Sequence, residues 1–80
     1  MKIYGIQYTG GGIPDDPEVF LTKAAARARW RAIAAERFDL DELPPLDLMG
    51  KEVTNPDEVT FFMDEEGTSE WRFWEVECAG

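Results

Sequence analysis

Thr22–Phe38, TKAAARARWRAIAAERF, is the stretch that decides the architecture. Ala, Arg and Glu fill most of its positions, so intrinsic preference favours a helix, and Thr22 is a good N-cap for it. Spacing by three and four places Ala26, Trp30, Ile33, Ala34 and Phe38 on one stripe. Alanines flank Trp30, the only large side chain central to that stripe, so the helix should lie close against a sheet with Trp30 as its anchor.

The sheet is read from what lies on either side. Lys2–Tyr8, KIYGIQY, alternates as a strand, with Tyr4, Ile6 and Tyr8 on one face and Ile3, Gly5 and Gln7 on the other. Gly10–Gly12, then Pro14, Asp15, Asp16 and Pro17, end it in a loop. Val19–Leu21 is a short apolar run leading into the helix cap. After the helix, Pro44 and Pro45 forbid regular structure through residues 39–50, DLDELPPLDLMG. Leu40, Leu43, Leu46 and Leu48 are expected to tuck beneath the sheet edge. Asn55-Pro56-Asp57 reads as a turn. Residues 58–63 and 70–78 read as two strands joined around 64–69, where Gly67 can supply a positive φ. On the last strand Trp74, Val76 and Cys78 are the expected core residues. Trp71 and Phe73 then share the other face with Glu75 and Glu77, which is unusual for a solvated strand. The expected fold is a single α+β domain over residues 1–80: an antiparallel sheet of three to four strands with one helix on one face.

Composition bounds the function. Eighty residues support one modest core, and a hydrophobic content of 44% with three Trp excludes a disordered tail. Seventeen acids against eight bases give a formal charge of −9, which opposes nucleic acid and anionic membranes as direct partners. The chain has no His, which removes imidazole metal sites and His-activated nucleophiles. Its one Cys cannot form an internal disulfide. The amino-terminal MKIYGIQYTGGG lacks the apolar stretch of a signal peptide, so a cytoplasmic protein is expected. Charge is segregated: residues 1–21 carry one base against three acids, residues 22–38 five bases against one acid, and residues 39–80 two bases against 13 acids.

No motif names a reaction. Thr9–Gly12, TGGG, has no Lys-Ser/Thr pair after it and is followed by Asp15 and Asp16, so it reads as a loop and not a phosphate cradle. The acidic groups Asp39, Asp41, Glu42 and Asp64, Glu65, Glu66 do not match a Ca²⁺-loop pattern. No catalytic residue, cofactor or metal ligand is assigned. Arg27, Arg29 and Arg31 spread around the helix and are expected to pair with the domain's own carboxylates. Two readings of the acidic second half stand side by side: solubility, or a surface for a basic partner on which carboxylates stand in for phosphates and Trp71 or Phe73 is an anchor. In the second reading the partner-binding residues are Asp39, Asp41, Glu42, Asp64, Glu65, Glu66, Glu70 and Trp71.

An amino-terminal strand, then Val19-Phe20-Leu21-Thr22-Lys23 opening an Ala-rich helix, then a closing hairpin with Trp71-Arg72-Phe73-Trp74-Glu75-Val76-Glu77 resembles small phage and prophage accessory proteins. Among these it most resembles the phage-borne anti-CRISPR proteins that inhibit type I surveillance complexes, subtype I-C among them. The resemblance covers the whole chain in size, acidity and order of elements. It implies a monomeric, non-catalytic inhibitor in the bacterial cytoplasm, without cofactor, that binds a basic subunit surface of a CRISPR effector complex and blocks target DNA. An acidic antitoxin, or another phage accessory protein with a different basic partner, is the alternative.

Overall fold

The computed structural model describes residues 1–78. Its elements in chain order are β1 (Lys2–Gly10), β2 (Ile13–Pro14), β3 (Glu18–Phe20), α1 (Lys23–Arg37), a 3-10 turn at Pro56–Glu58, β4 (Phe61–Met63) and β5 (Ser69–Glu77). All strand pairs are antiparallel, in the order β2-β1-β5-β4, with β3 also on β1. The fold is α+β, with one helix on one face of a five-stranded sheet. The long strands β1 and β5 pair along their whole length, from Lys2 opposite Glu77 to Gly10 opposite Ser69.

Two short strands extend the expected sheet. Gly11 and Gly12, at φ of 61° and 81°, close a two-residue hairpin between β1 and β2, a turn that requires positive φ at both positions. The glycine run is therefore a tight turn rather than an open loop. Its Gly11 N–H donates to Thr68 C=O at 2.8 Å, tying it to the β4–β5 turn. Between Pro14 and Glu18 the edge carries one residue more than β1 opposite it. This bulge, together with Pro14 and Pro17, protects that edge against further strand pairing.

The helix forms where its composition places it. Thr22, extended at φ −129° and ψ 146°, accepts a hydrogen bond from Ala25 N–H at 3.2 Å. Ala26, Trp30, Ile33 and Ala34 are buried, and Phe38 packs half-buried against them. Trp30 is wholly enclosed: its ring centroid lies 4.2 Å from that of Phe62 and 5.7 Å from that of Phe73. Its indole N–H donates to Pro56 C=O at 2.8 Å, which satisfies the one polar atom that burial would otherwise orphan.

The last strand turns the opposite way from the expectation. Register with β1 places Trp71 opposite Tyr8 and Phe73 opposite Ile6, so Trp71 and Phe73 share the helix-facing side with Tyr4, Ile6 and Phe62 and are buried. Trp74 and Cys78 are only half-buried and Val76 is exposed. Trp74 instead lies across Gly5 on the outer face, its indole filling the space where a Cβ on that glycine would stand. Glutamates share the buried face because Glu75 and Glu77 lie at its far end, beyond the helix-covered aromatics.

Residues 38–60 connect helix to hairpin through polar turns. Asp47 Oδ1 accepts from Met49 and Lys51 N–H at 2.8 and 2.9 Å, and Asn55 Oδ1 accepts from Asp57 N–H at 3.1 Å. Pro45 and Val53 are buried. Leu46 exchanges two 2.9 Å backbone hydrogen bonds with Met63, so this segment caps the outer edge of β4. Leu40 and Leu46 are half-buried as expected, but Leu43 and Leu48 are exposed. The expected strand from residue 58 shortens to Phe61–Met63, because Pro56–Glu58 forms the 3-10 turn that receives Trp30.

Candidate interaction surface

The two acidic groups predicted from sequence meet where Glu42 and Glu65 line one groove, while Asp39 lines a separate groove with Ala35, Phe38 and Leu40. Asp64, Glu65 and Glu66 belong to the β4–β5 turn, and one groove they line is shared with Arg37, Phe38, Leu43 and Pro44. A neighbouring groove is lined by Glu42, Leu43, Pro44, Leu46, Glu52 and Glu65. Leu43, 61% exposed, stands between the two acidic loops. Pro44 holds the chain extended there, so the turn after α1 meets the β-hairpin turn instead of running past it.

Within this cluster the carboxylates divide into two kinds. Asp39 Oδ1 accepts from the N–H groups of Asp41 and Glu42 at 3.0 and 3.1 Å, building the turn that ends the helix. Asp64 builds the other turn: Oδ1 accepts from Thr68 N–H at 2.8 Å and Ser69 N–H at 3.2 Å, and Oδ2 from the Thr68 hydroxyl at 2.7 Å. Burial raises the pKa of Asp64, but the hydrogen bonds from the Thr68 side chain and from the Ser69, Thr68 and Gly67 backbone outweigh it. The net shift is downward from 3.8, because those donors stabilise the ionised form. Asp41, Glu42, Glu65 and Glu66 are exposed, and among the described residues their carboxylates hold no hydrogen bond or ion pair. Asp39 and Asp64 thus shape the surface, and the other four carry its charge outward.

The remaining predicted members, Trp71 and Glu70, do not line these grooves. Trp71 is 8% exposed, its ring packed against Tyr8, Phe38 and Phe62 at centroid distances of 4.8, 5.4 and 5.7 Å. It is a core residue and cannot anchor a partner without unfolding the sheet; Phe73, equally buried, is corrected in the same way. Glu70, second residue of β5 and opposite Met63, lies on the outer face and pairs with Arg72 at 3.7 Å. Sequence reasoning missed Leu43, Arg37 and Glu52. Leu43 was assigned to the interior on hydropathy alone. Glu52 arrives through its local bridge to Leu46, which is itself paired with the distant Met63.

Three of the helix's basic side chains are taken up within the domain. Arg29 pairs with Glu18 at 3.3 Å and Glu36 at 3.6 Å, and Arg31 with Asp57 at 3.1 Å. Arg27 donates to Val59 C=O at 3.2 Å while lying 4.2 Å from the Phe73 ring centroid. Arg37 has no carboxylate within 4 Å among the described residues, and it lines the acidic groove at the helix C-terminus, where a cation is favoured. A groove of about 350 Å³ between α1 and the bulge has Tyr8 and Trp71 in its lining, with Asp15, Asp16 and Glu18 set against Arg29 and Arg37. Among the described residues no three acidic or thiol side chains converge as ligands of one metal ion, and no helix is long and apolar enough to cross a membrane. Comparison with protein-family models, with curated proteins and with solved structures finds no match for this chain.

Proposed function

We propose that the protein is a non-catalytic inhibitor that binds a basic, nucleic-acid-binding protein surface, with a type I CRISPR effector complex as the partner that its resemblance implies. The observation that carries the reading is the pair of adjoining grooves in which Glu42, Glu65 and Glu66 lie about exposed Leu43, with exposed Asp41 on the same turn as Glu42, the turns being built by Asp39 and Asp64. Turns whose backbone is held by Asp39 and Asp64 present exposed carboxylates from set Cα positions, as a phosphate backbone presents its charge, and spare a partner the cost of ordering the loop itself. Leu43 adds a small apolar contact that a partner can desolvate. The internal pairing of Arg29 and Arg31 supports the same reading, because it leaves few cations to neutralise these turns.

The experiment is a binding titration of purified type I complex at two salt concentrations. Reversing Asp41, Glu42, Glu65 and Glu66 to Lys is expected to weaken binding at least about tenfold, about 1.4 kcal/mol. Wild-type affinity falls as salt rises, since exposed charges are screened over about 8 Å at physiological ionic strength. Salt-independent binding that survives the reversal overturns the reading. No binding to the complex by a folded wild-type protein moves the partner to another basic protein, the role of an antitoxin.

A further inference from the structure

Among the described residues, one half of β5 lacks a neighbour on the side away from β1. The β4 strand covers only Glu70–Arg72, and the last bond across this edge runs from Phe73 N–H to Thr60 C=O at 2.8 Å. Antiparallel strands alternate their backbone groups between the two sides, so the N–H and C=O of Glu75 and Glu77 point outward like those of Phe73. Among the described residues neither group of Glu75 or Glu77 finds a backbone partner there. The other edges are guarded, by Pro14, Pro17 and a bulge beside β1 and by the Leu46 pairing beside β4. Among the described residues the Phe73–Glu77 edge has no proline, no bulge and no covering segment, and such an edge is a template for strand addition.

We propose that Phe73–Glu77 is a docking edge for an extended segment of a partner protein that alternates Lys or Arg with apolar residues. Residues opposite Glu75 and Glu77 would place basic side chains beside two carboxylates on the helix-facing side. The residue opposite Val76 would lie beside exposed Val76 and half-buried Trp74 on the outer face. Lys2 at 3.8 Å from Glu75 and the Met1 amino group at 3.1 Å from Glu77 approach from the β1 side only. The chain that departs at Thr60 brings Glu58, and Asp57 already paired with Arg31, and no base over residues 56–60. Arg27, from α1, stays over Phe73 and the Val59 carbonyl. A second copy of this edge is disfavoured, because antiparallel pairing centred on Val76 sets Glu75 against Glu77 in both directions, and like charges directly opposite are destabilising. Backbone pairing supplies affinity and alternating side chains supply selectivity, the recognition mode of strand addition. The site is independent of the acidic turns, since β5 runs about 25 Å from the hairpin turn to Glu77 at the usual rise per residue.

The test is amide hydrogen exchange and chemical-shift mapping of the full chain with a seven-residue peptide alternating lysine and valine. The control is the same peptide N-methylated at its lysines, which keeps the charge but blocks the pairing edge. The unmethylated peptide is expected to slow exchange at Glu75 and Glu77 at least about tenfold and to bind at least about tenfold more tightly than the control. Glu77→Pro removes an outward donor without touching the β1 ladder and should abolish the protection, whereas Glu77→Gln should only weaken it. Reversal of Asp41, Glu42, Glu65 and Glu66 should leave it in place. Amides of Glu75 and Glu77 already protected in the free protein, equal binding of the methylated peptide, shifts confined to Asp64–Gly67, or protection that grows with protein concentration alone would each overturn the proposal.

Discussion

Gly5 is the residue in β1 whose missing side chain admits the outer-face Trp74 indole, and the two stand opposite each other in the ladder. A methyl group there must displace the ring. Gly5→Ala should therefore cost about 1–3 kcal/mol, the usual range for overpacking, although alanine suits a strand better than glycine does. Trp74→Ala in the same chain should relieve most of that penalty, so denaturant unfolding of the two single variants and the double variant measures the coupling; additive effects would disprove the close approach. Asp64 makes a second residue-scale prediction. Its folded-state pKa lies below the ordinary 3.8, so its stabilising contribution is full above the unfolded value and is lost as pH falls through the folded one. The stability gap between wild type and Asp64→Ala should thus hold at neutral pH and narrow below about pH 4. Unfolding curves taken across that range test it, and a gap independent of pH contradicts it.

At the scale of elements, α1 is held to the sheet by one side chain more than by any other. Trp30 fills the space between Phe62 and Phe73 and bonds the 3-10 turn through Pro56. It thereby joins helix, sheet and connecting segment at one point. Trp30→Ala should cost about 3–5 kcal/mol, a large part of what a domain this size commands. Trp30→Phe keeps much of the volume but leaves the Pro56 carbonyl unpaired, and should cost less, with a penalty of about 1–3 kcal/mol for the orphaned acceptor. Equilibrium unfolding of both variants orders the two effects; equal losses would mean that the hydrogen bond, and not the packing, fastens the helix.

For the whole molecule, charge segregation in the chain becomes charge segregation in space. Arg29 and Arg31 pair across the surface with Glu18, Glu36 and Asp57, while four carboxylates without partners among the described residues lie exposed on the two turns beside Leu43. Such crowding opposes the compact state through self-repulsion. Changing Asp41, Glu42, Glu65 and Glu66 to Asn or Gln removes four negative charges and takes the formal charge from −9 to −5. The neutralised protein should melt higher than wild type at low salt, and the gain should shrink as salt screens the repulsion. The same protein should bind its basic partner more weakly. A lower melting temperature would mean that these side chains serve the fold, as Asp39 and Asp64 do.

The helix was fully legible in the sequence because a period of 3.6 leaves only one stripe wide enough to bury Trp30, and Thr22 marks where it starts. The turn at Gly67, with φ of 72°, and the single-helix α+β class were legible for similar local reasons. The buried face of β5 was not. Its aromatics fall on both sides of a period-two pattern, so local alternation favours neither, and only pairing with β1 settles that Trp71 and Phe73 turn inward. The candidate site was legible as composition but not as geometry. Acids 39–42 and 64–66 are separated by more than 20 residues of chain, and the turn at Pro44 and the Leu46–Met63 pairing bring them together. Which carboxylates are spent on backbone N–H groups depends on the same tertiary placement. The sequence by itself determined the helix, the two long strands and the sign of the charge, since these follow from residues within a few positions of one another. Tertiary structure alone decided the strand faces, the adjoining acidic turns and the unpaired half of β5, because each depends on partners that only folding brings into contact.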